Sequence, residues 1–175
     1  MNSFRPWPTL AVLAIVSACA APPKPTPSLA PPPPGPVASA LPAAPPADWR
    51  DAALTPGNWM VEADASGSVA RFGTQGSPLA SLRCDRAAAR IVLQRAGAAP
   101  GSLPLTITTS TVTRAFTASP EAGATPQLGL ALGVRDPILD AMAFSRGRFV
   151  IEVAGLPTLY LPAWPEVARV IEDCR

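Results

Sequence analysis

Histidine is absent from all 175 residues. That removes the commonest general base and the commonest metal ligand together. It also excludes nucleophilic catalysis of the Ser-His-Asp or Cys-His type. Excess charge is equally scarce. The formal +2 of the chain comes from Arg5 and Lys24, while residues 48–175 hold twelve arginines and twelve acids. A nucleic-acid binder carries a net basic face, so a neutral domain argues against nucleic acid as a partner. Arg83, Arg86, Arg90 and Arg95 cluster, but acids such as Asp85 balance them, and a solvated strand face is the expectation. No P-loop, dinucleotide glycine pattern or calcium loop appears, and Gly129–Gly133 (GLALG) lacks the spacing of a nucleotide site. No cofactor is implied. Membrane-spanning length is lacking too: the apolar run from Trp7 to Val16 has about ten residues, against about twenty for a spanning helix.

That short run follows Arg5, the only charge before it, and precedes the small residues Ser17 and Ala18. A positive start, a 7–15-residue apolar stretch and a small-residue cut describe a signal peptide. Val16-Ser17-Ala18-Cys19 resembles the bacterial lipobox. The resemblance implies cleavage before Cys19, acylation of its sulfur, and a mature chain that begins at that cysteine. Several acyl chains make a durable anchor where a single chain does not. Ala20 stands where an aspartate would resemble an inner-membrane retention signal, which favours the periplasmic face of the outer membrane. A plain secretory signal with an incidental cysteine is the alternative.

Proline is abundant but unevenly spread, with fourteen of 24 in residues 1–46. Residues 22–46 read PPKPTPSLAPPPPGPVASALPAAPP. Proline fixes φ and has no N–H, so neither helix nor ladder runs through this tract. Polyproline II at about 3.1 Å per residue gives a reach of roughly 75 Å. A semi-rigid spacer is the expectation; a docking motif has only proline content behind it. The chain thus divides into a signal peptide (1–18), a lipidated N-terminus with a Pro/Ala-rich tether (19–47) and a globular domain (48–175).

In the domain, short segments alternate apolar and polar residues at period two, the pattern of half-buried strands. They run over 59–63, 68–72, 79–84, 90–95, 103–116, 127–134, 149–153 and 159–161. Within 103–116 the apolar residues change from odd positions (Leu103, Leu105, Ile107) to even ones (Val112, Phe116), which predicts a turn or bulge near Ser110. Asp136-Pro137 reads as a helix N-cap with proline at the first position. Val167, Val170, Ile171 and Cys174 fall on one face of a terminal helix. The expected fold is mainly β: an antiparallel sandwich or small barrel of about eight strands, with a short helix and a C-terminal helix.

Setting Cys19 aside leaves an even pair, Cys84 and Cys174. An exported chain meets an oxidising compartment, where disulfides persist. A Cys84–Cys174 bridge would staple the last helix to the sheet. Two buried free thiols are the alternative, and a metal site lacks ligands. Other candidates are sparse. Glu62 with Asp64, and Glu172 with Asp173, are carboxylate pairs that read as solvated charges rather than a glycan-cleaving dyad. Trp49, Trp59 and Trp164 read as packing. Arg146 and Arg148, flanking Gly147, are the most suggestive polar pair, suited to an anion or partner contact, with cations at a helix end as the plainer reading.

The C-terminal stretch LDAMAFSRGRFVIEVAGLPTLYLPAWPEVARVIEDC resembles invasion-associated locus B-type envelope β-domains, in which a helix leads into a hairpin and a final helix ends near a cysteine. The resemblance implies an exported β-domain. A small disulfide-bonded β-domain on a lipid anchor is also similar in architecture to membrane-bound lysozyme inhibitors, though a Ser-Gly plus Tyr or Lys inhibitory loop is missing. The functional expectation is a non-enzymatic, lipid-anchored envelope module that binds or scaffolds. Its partners are the membrane and a cell-wall or envelope protein. A lysozyme or hydrolase inhibitor is the alternative.

Overall fold

A computed structural model describes residues 48–65 and 67–175. Cys19, the leader and the tether lie outside the described residues, as do the boundaries at 18 and 47. The domain consists of β1 (Asn58–Asp64), β2 (Gly67–Thr74), β3 (Ser77–Asp85), β4 (Arg90–Ala96), β5 (Leu103–Thr108), β6 (Thr113–Glu121), β7 (Gln127–Gly133), α1 (Pro137–Ala143), β8 (Arg148–Val153), β9 (Leu159–Pro162) and α2 (Pro165–Asp173). Every strand pairing is antiparallel. The nine strands form one sheet in the order β1-β2-β3-β4-β7-β6-β5-β8-β9, curled into a half-barrel. The mainly β fold with a short and a terminal helix is therefore as expected, in its open-barrel form.

The ninth strand arises where the odd-to-even change predicted a break. Thr109 turns the chain between β5 and β6: its N–H donates to Val112 O at 2.9 Å, and its Oγ1 accepts from Val112 N at 3.0 Å. One long segment thus becomes a hairpin, Leu105 opposite Phe116.

The core lies in the concavity. Period-two alternation delivers Trp59, Phe72, Leu82, Ile91, Leu93 and Leu130 to its inner face. Helix α2 covers this face and packs on β1, β2 and β3. Its Val167, Val170 and Ile171 are buried, each contributing about 1.5–3 kcal/mol by removal from water. Helix α1 packs on α2 and buries Ile138, Leu139 and Met142. Its start is fixed as its sequence implied: the Asp136 carboxylate accepts from Ile138 N at 2.9 Å, and Pro137 fills the first position.

The two ends of the sheet approach one another before β1. Thr55 donates its N–H to Tyr160 O at 3.0 Å and accepts from Tyr160 N through Oγ1 at 2.9 Å. The Trp59 indole N–H donates to Pro162 O at 2.9 Å. These bonds cover part of the β9 edge, which would otherwise present an unpaired ladder.

Candidate functional site

The structure joins Cys84 to Cys174, with sulfurs 2.10 Å and Cα atoms 5.4 Å apart. The bridge ties β3 to the C-cap of α2. Beside it, Gly67 sits at φ +148°, and a Cβ there would meet Cys84 O at 2.4 Å. Glycine is required at this close approach.

The pair singled out on either side of Gly147 is divided in its engagements. The Arg148 guanidinium donates to the carbonyl of Ala52 and ties down the segment ahead of β1. The Arg146 side chain is exposed, and among the described residues only its backbone N–H is engaged, donating to Ser110 Oγ at 3.1 Å. Ser145 clasps the same loops: it accepts from Ser110 N at 2.9 Å and donates to Arg148 O. Arg146 is thus the one cation of the pair left to a partner. The tryptophans are dispersed as packing residues. Trp59 is buried edge-on to Phe72 at 5.2 Å. Trp49 stacks under Arg50 at 4.6 Å beside a cleft of about 50 Å³, while Trp164 caps α2 half-exposed. Glu62 pairs with Arg71, and Glu172 with Arg175.

The arginine cluster is the main surprise. Arg83 and Arg90 lie on the outer face, as a solvated strand face requires. Arg86 donates to Asp173 O at 3.2 Å. Arg95 departs from the expectation, being only 5% exposed. It shares the inner face with Ile91 and Leu93, because all three are odd-numbered on one strand. Its guanidinium donates to Leu79 O at 3.4 Å, Pro157 O at 3.1 Å and Ala96 O. No acid among the described residues pairs with it; burial draws its pKa below the ordinary arginine value. Three carbonyls hold the cation and clasp β3 and β4 to the turn between β8 and β9.

A larger cleft lies elsewhere among the described residues, on the outer face where β6 leaves β7. It encloses about 340 Å³ and is lined by Arg83, Arg90, Val92, Thr117, Gly129 and Ala131, among others. Sequence builds it in a definite way. Strand β6 pairs with β5 over Leu103–Thr108 and with β7 over Ser119–Glu121 alone. Strand β7 meanwhile pairs with β4 along its whole length. Beyond Ser119 the two strands diverge and leave a wedge between them.

Two prolines fix which backbone groups face that wedge. Pro104 stands opposite Thr117, and Pro120 opposite Leu128. Neither has an N–H to donate, so each occupies a non-bonded position of its antiparallel pair. The ladder bonds then fall to Phe116 and Ala118 toward β5, and to Ser119 and Glu121 toward β7. By the same alternation, Ala115 and Thr117 of β6 and Ala131 of β7 direct their N–H and C=O groups into the wedge. The floor is small because the outward residues of β7 are Gly129, Ala131 and Gly133.

The charges along the wedge differ from end to end. At its apex Glu121 lies across Gly129, where a Cβ would meet Glu121 Oε1 at 2.2 Å. Gln94 donates to the other carboxylate oxygen and accepts from Ser81 Oγ at 2.7 Å. Toward the open end stand Arg83 and Arg90. Arg90 is paired with Asp85 at 3.0 Å. Arg83 is exposed and has no hydrogen-bond or ion-pair partner among the described residues. At the wide end, an Arg114–Asp136 ion pair links β6 to the start of α1. None of these groups was singled out as a site from the sequence. The signal available was the coincidence of two in-strand prolines with a Gly-x-Ala-x-Gly outer face.

Comparison with known protein families, curated proteins and solved structures gives no match to this chain.

Proposed function

We propose that this protein is a lipid-anchored envelope module, held off the membrane by a proline-rich stalk, whose domain binds a ligand and performs no catalysis. The observation that carries the reading is the division of its three cysteines. Cys84 and Cys174 join each other, and the remaining one, Cys19, stands at the foot of a short apolar run after two small residues. A disulfide suits an exported protein. Cys19 then serves as the acylated first residue, and residues 22–46 as the spacer. The domain offers a cleft with unpaired backbone and opposed charges at its two ends, which suits recognition.

Metabolic labelling with a fatty-acid analogue tests the anchor. The wild-type protein is expected to take up label and Cys19→Ser to lose it. Equal labelling of the two proteins would refute the anchor. A lysozyme inhibition assay on the purified protein tests the binding class, and potent inhibition would move it to the inhibitor class.

A further inference from the structure

We infer that the wedge between β6 and β7 binds a short extended peptide with free ends, its ammonium at Glu121 and its carboxylate at Arg83. The inference deepens the binding reading above and rests on it.

The backbone makes the first part of the case. Thr117 on one wall and Ala131 on the other face the wedge with unpaired N–H and C=O groups, as argued from Pro104 and Pro120. An extended peptide laid along the wedge can pair with these groups as an added strand. A ring or a compact ligand lacks the repeating N–H and C=O groups to do so. The cleft, about 340 Å³, lies in the range of small-ligand sites.

The charges make the second part. Row by row across the outer face, Gln94 stands beside Gly129, Val92 beside Ala131 and Arg90 beside Gly133. Glu121 covers the first row, and Arg83 is opposite Val92 in the second. From Gly129 to Ala131, the row that holds Arg83, is two strand steps, roughly 7 Å at about 3.3 Å per residue. A peptide of about two or three residues spans that distance. Its carboxylate then meets Arg83, which is exposed and makes no hydrogen bond among the described residues, and whose planar fork suits a carboxylate, with Arg90 nearby. Its ammonium meets Glu121 Oε1, which has no hydrogen-bond partner among the described residues. Small floor residues let the backbone approach closely.

The test uses the purified full-length protein in detergent and the tripeptide Val-Thr-Val in two forms, with free ends and with both ends blocked. Binding is followed by amide NMR shifts. The free-ended peptide is expected to shift and slow the exchange of the Thr117 and Ala131 amides. Blocking the ends is expected to weaken binding about tenfold or more, the loss of charge-assisted contacts. Arg83→Gln, an exposed change, is expected to weaken the free-ended peptide about tenfold and to narrow the gap between the two forms. Equal affinity of the two forms for the wild type would overturn the proposal without reliance on any variant. So would shifts confined to other surfaces, which would leave the domain a binding module with a different site. Absence of binding at millimolar peptide would also overturn it, while fatty-acid labelling of Cys19 would stand or fall separately.

Discussion

The half-barrel joins its strands in two different ways. From β1 to β7 through β4, successive strands pair along most of their length, and a disulfide and a helix brace the inner face. Between β7 and β6 the pairing covers Ser119–Glu121 only, and the strands then part. The first region is a continuous wall. The second is a break in the sheet floored by small residues. A sheet can thus gain a cleft without losing its core, because Leu128, Leu130 and Leu132 still face inward beneath the break.

Several substitutions probe the contrast. The largest effect belongs to the braced wall. Reducing the Cys84–Cys174 bridge, which spans 90 residues, is expected to cost about 4–5 kcal/mol on the chain-entropy account, read as a lower midpoint in urea. An unchanged midpoint would show that the staple does not stabilise the wall. Arg95→Leu comes next. It leaves the carbonyls of Leu79, Ala96 and Pro157 without their donor, and a loss of about 2–3 kcal/mol is expected by the same measurement. A neutral or stabilising result would mean that desolvation of the guanidinium outweighs its bonds. Ala89, in the turn from β3 to β4, has φ +46°. Ala89→Gly is expected to raise stability by up to about 1 kcal/mol, since glycine relieves the left-handed strain. A drop would place the strain elsewhere.

The smallest effect concerns pH. Asp85 has its pKa lowered below the usual carboxylate value of 3.8, first by the Ala88 N–H and then, against desolvation, by Arg90. Its folded pKa lies below its unfolded one. Its contribution is therefore present above the unfolded value and is lost as pH falls through the folded value, in the range below about 4. In acid titrations of stability, Asp85→Asn should slightly flatten the decline there. An identical decline would assign the acid sensitivity to other groups.

Much of the wall was legible in the sequence, because period-two alternation and turn residues encode it directly. The parity change in residues 103–116 located the β5–β6 hairpin, and Asp136-Pro137 located α1. Arg95 departs from the solvated-face expectation because parity outweighs charge there: it shares the inner face with its neighbours Ile91 and Leu93. The wedge was not legible for a different reason. It depends on which strands become neighbours, and the pairing of β4 with β7 and of β6 with both β5 and β7 is long-range. Pro104 and Pro120 signal restricted pairing locally, but only the topology shows that both restrictions open onto one gap. Arg83 and Glu121 likewise become ends of a single site only when β4 and β7 intervene in the right order.

Hydrogen exchange of the free protein addresses the break most directly. Phe116, Ala118, Leu130 and Leu132, whose N–H groups belong to ladders, are expected to be protected. Ala115, Thr117 and Ala131, whose N–H groups face the wedge, are expected to exchange orders of magnitude faster despite lying within strands. Strong protection of Thr117 and Ala131 in the free protein would show the ladder closed between β6 and β7, and would contradict the account.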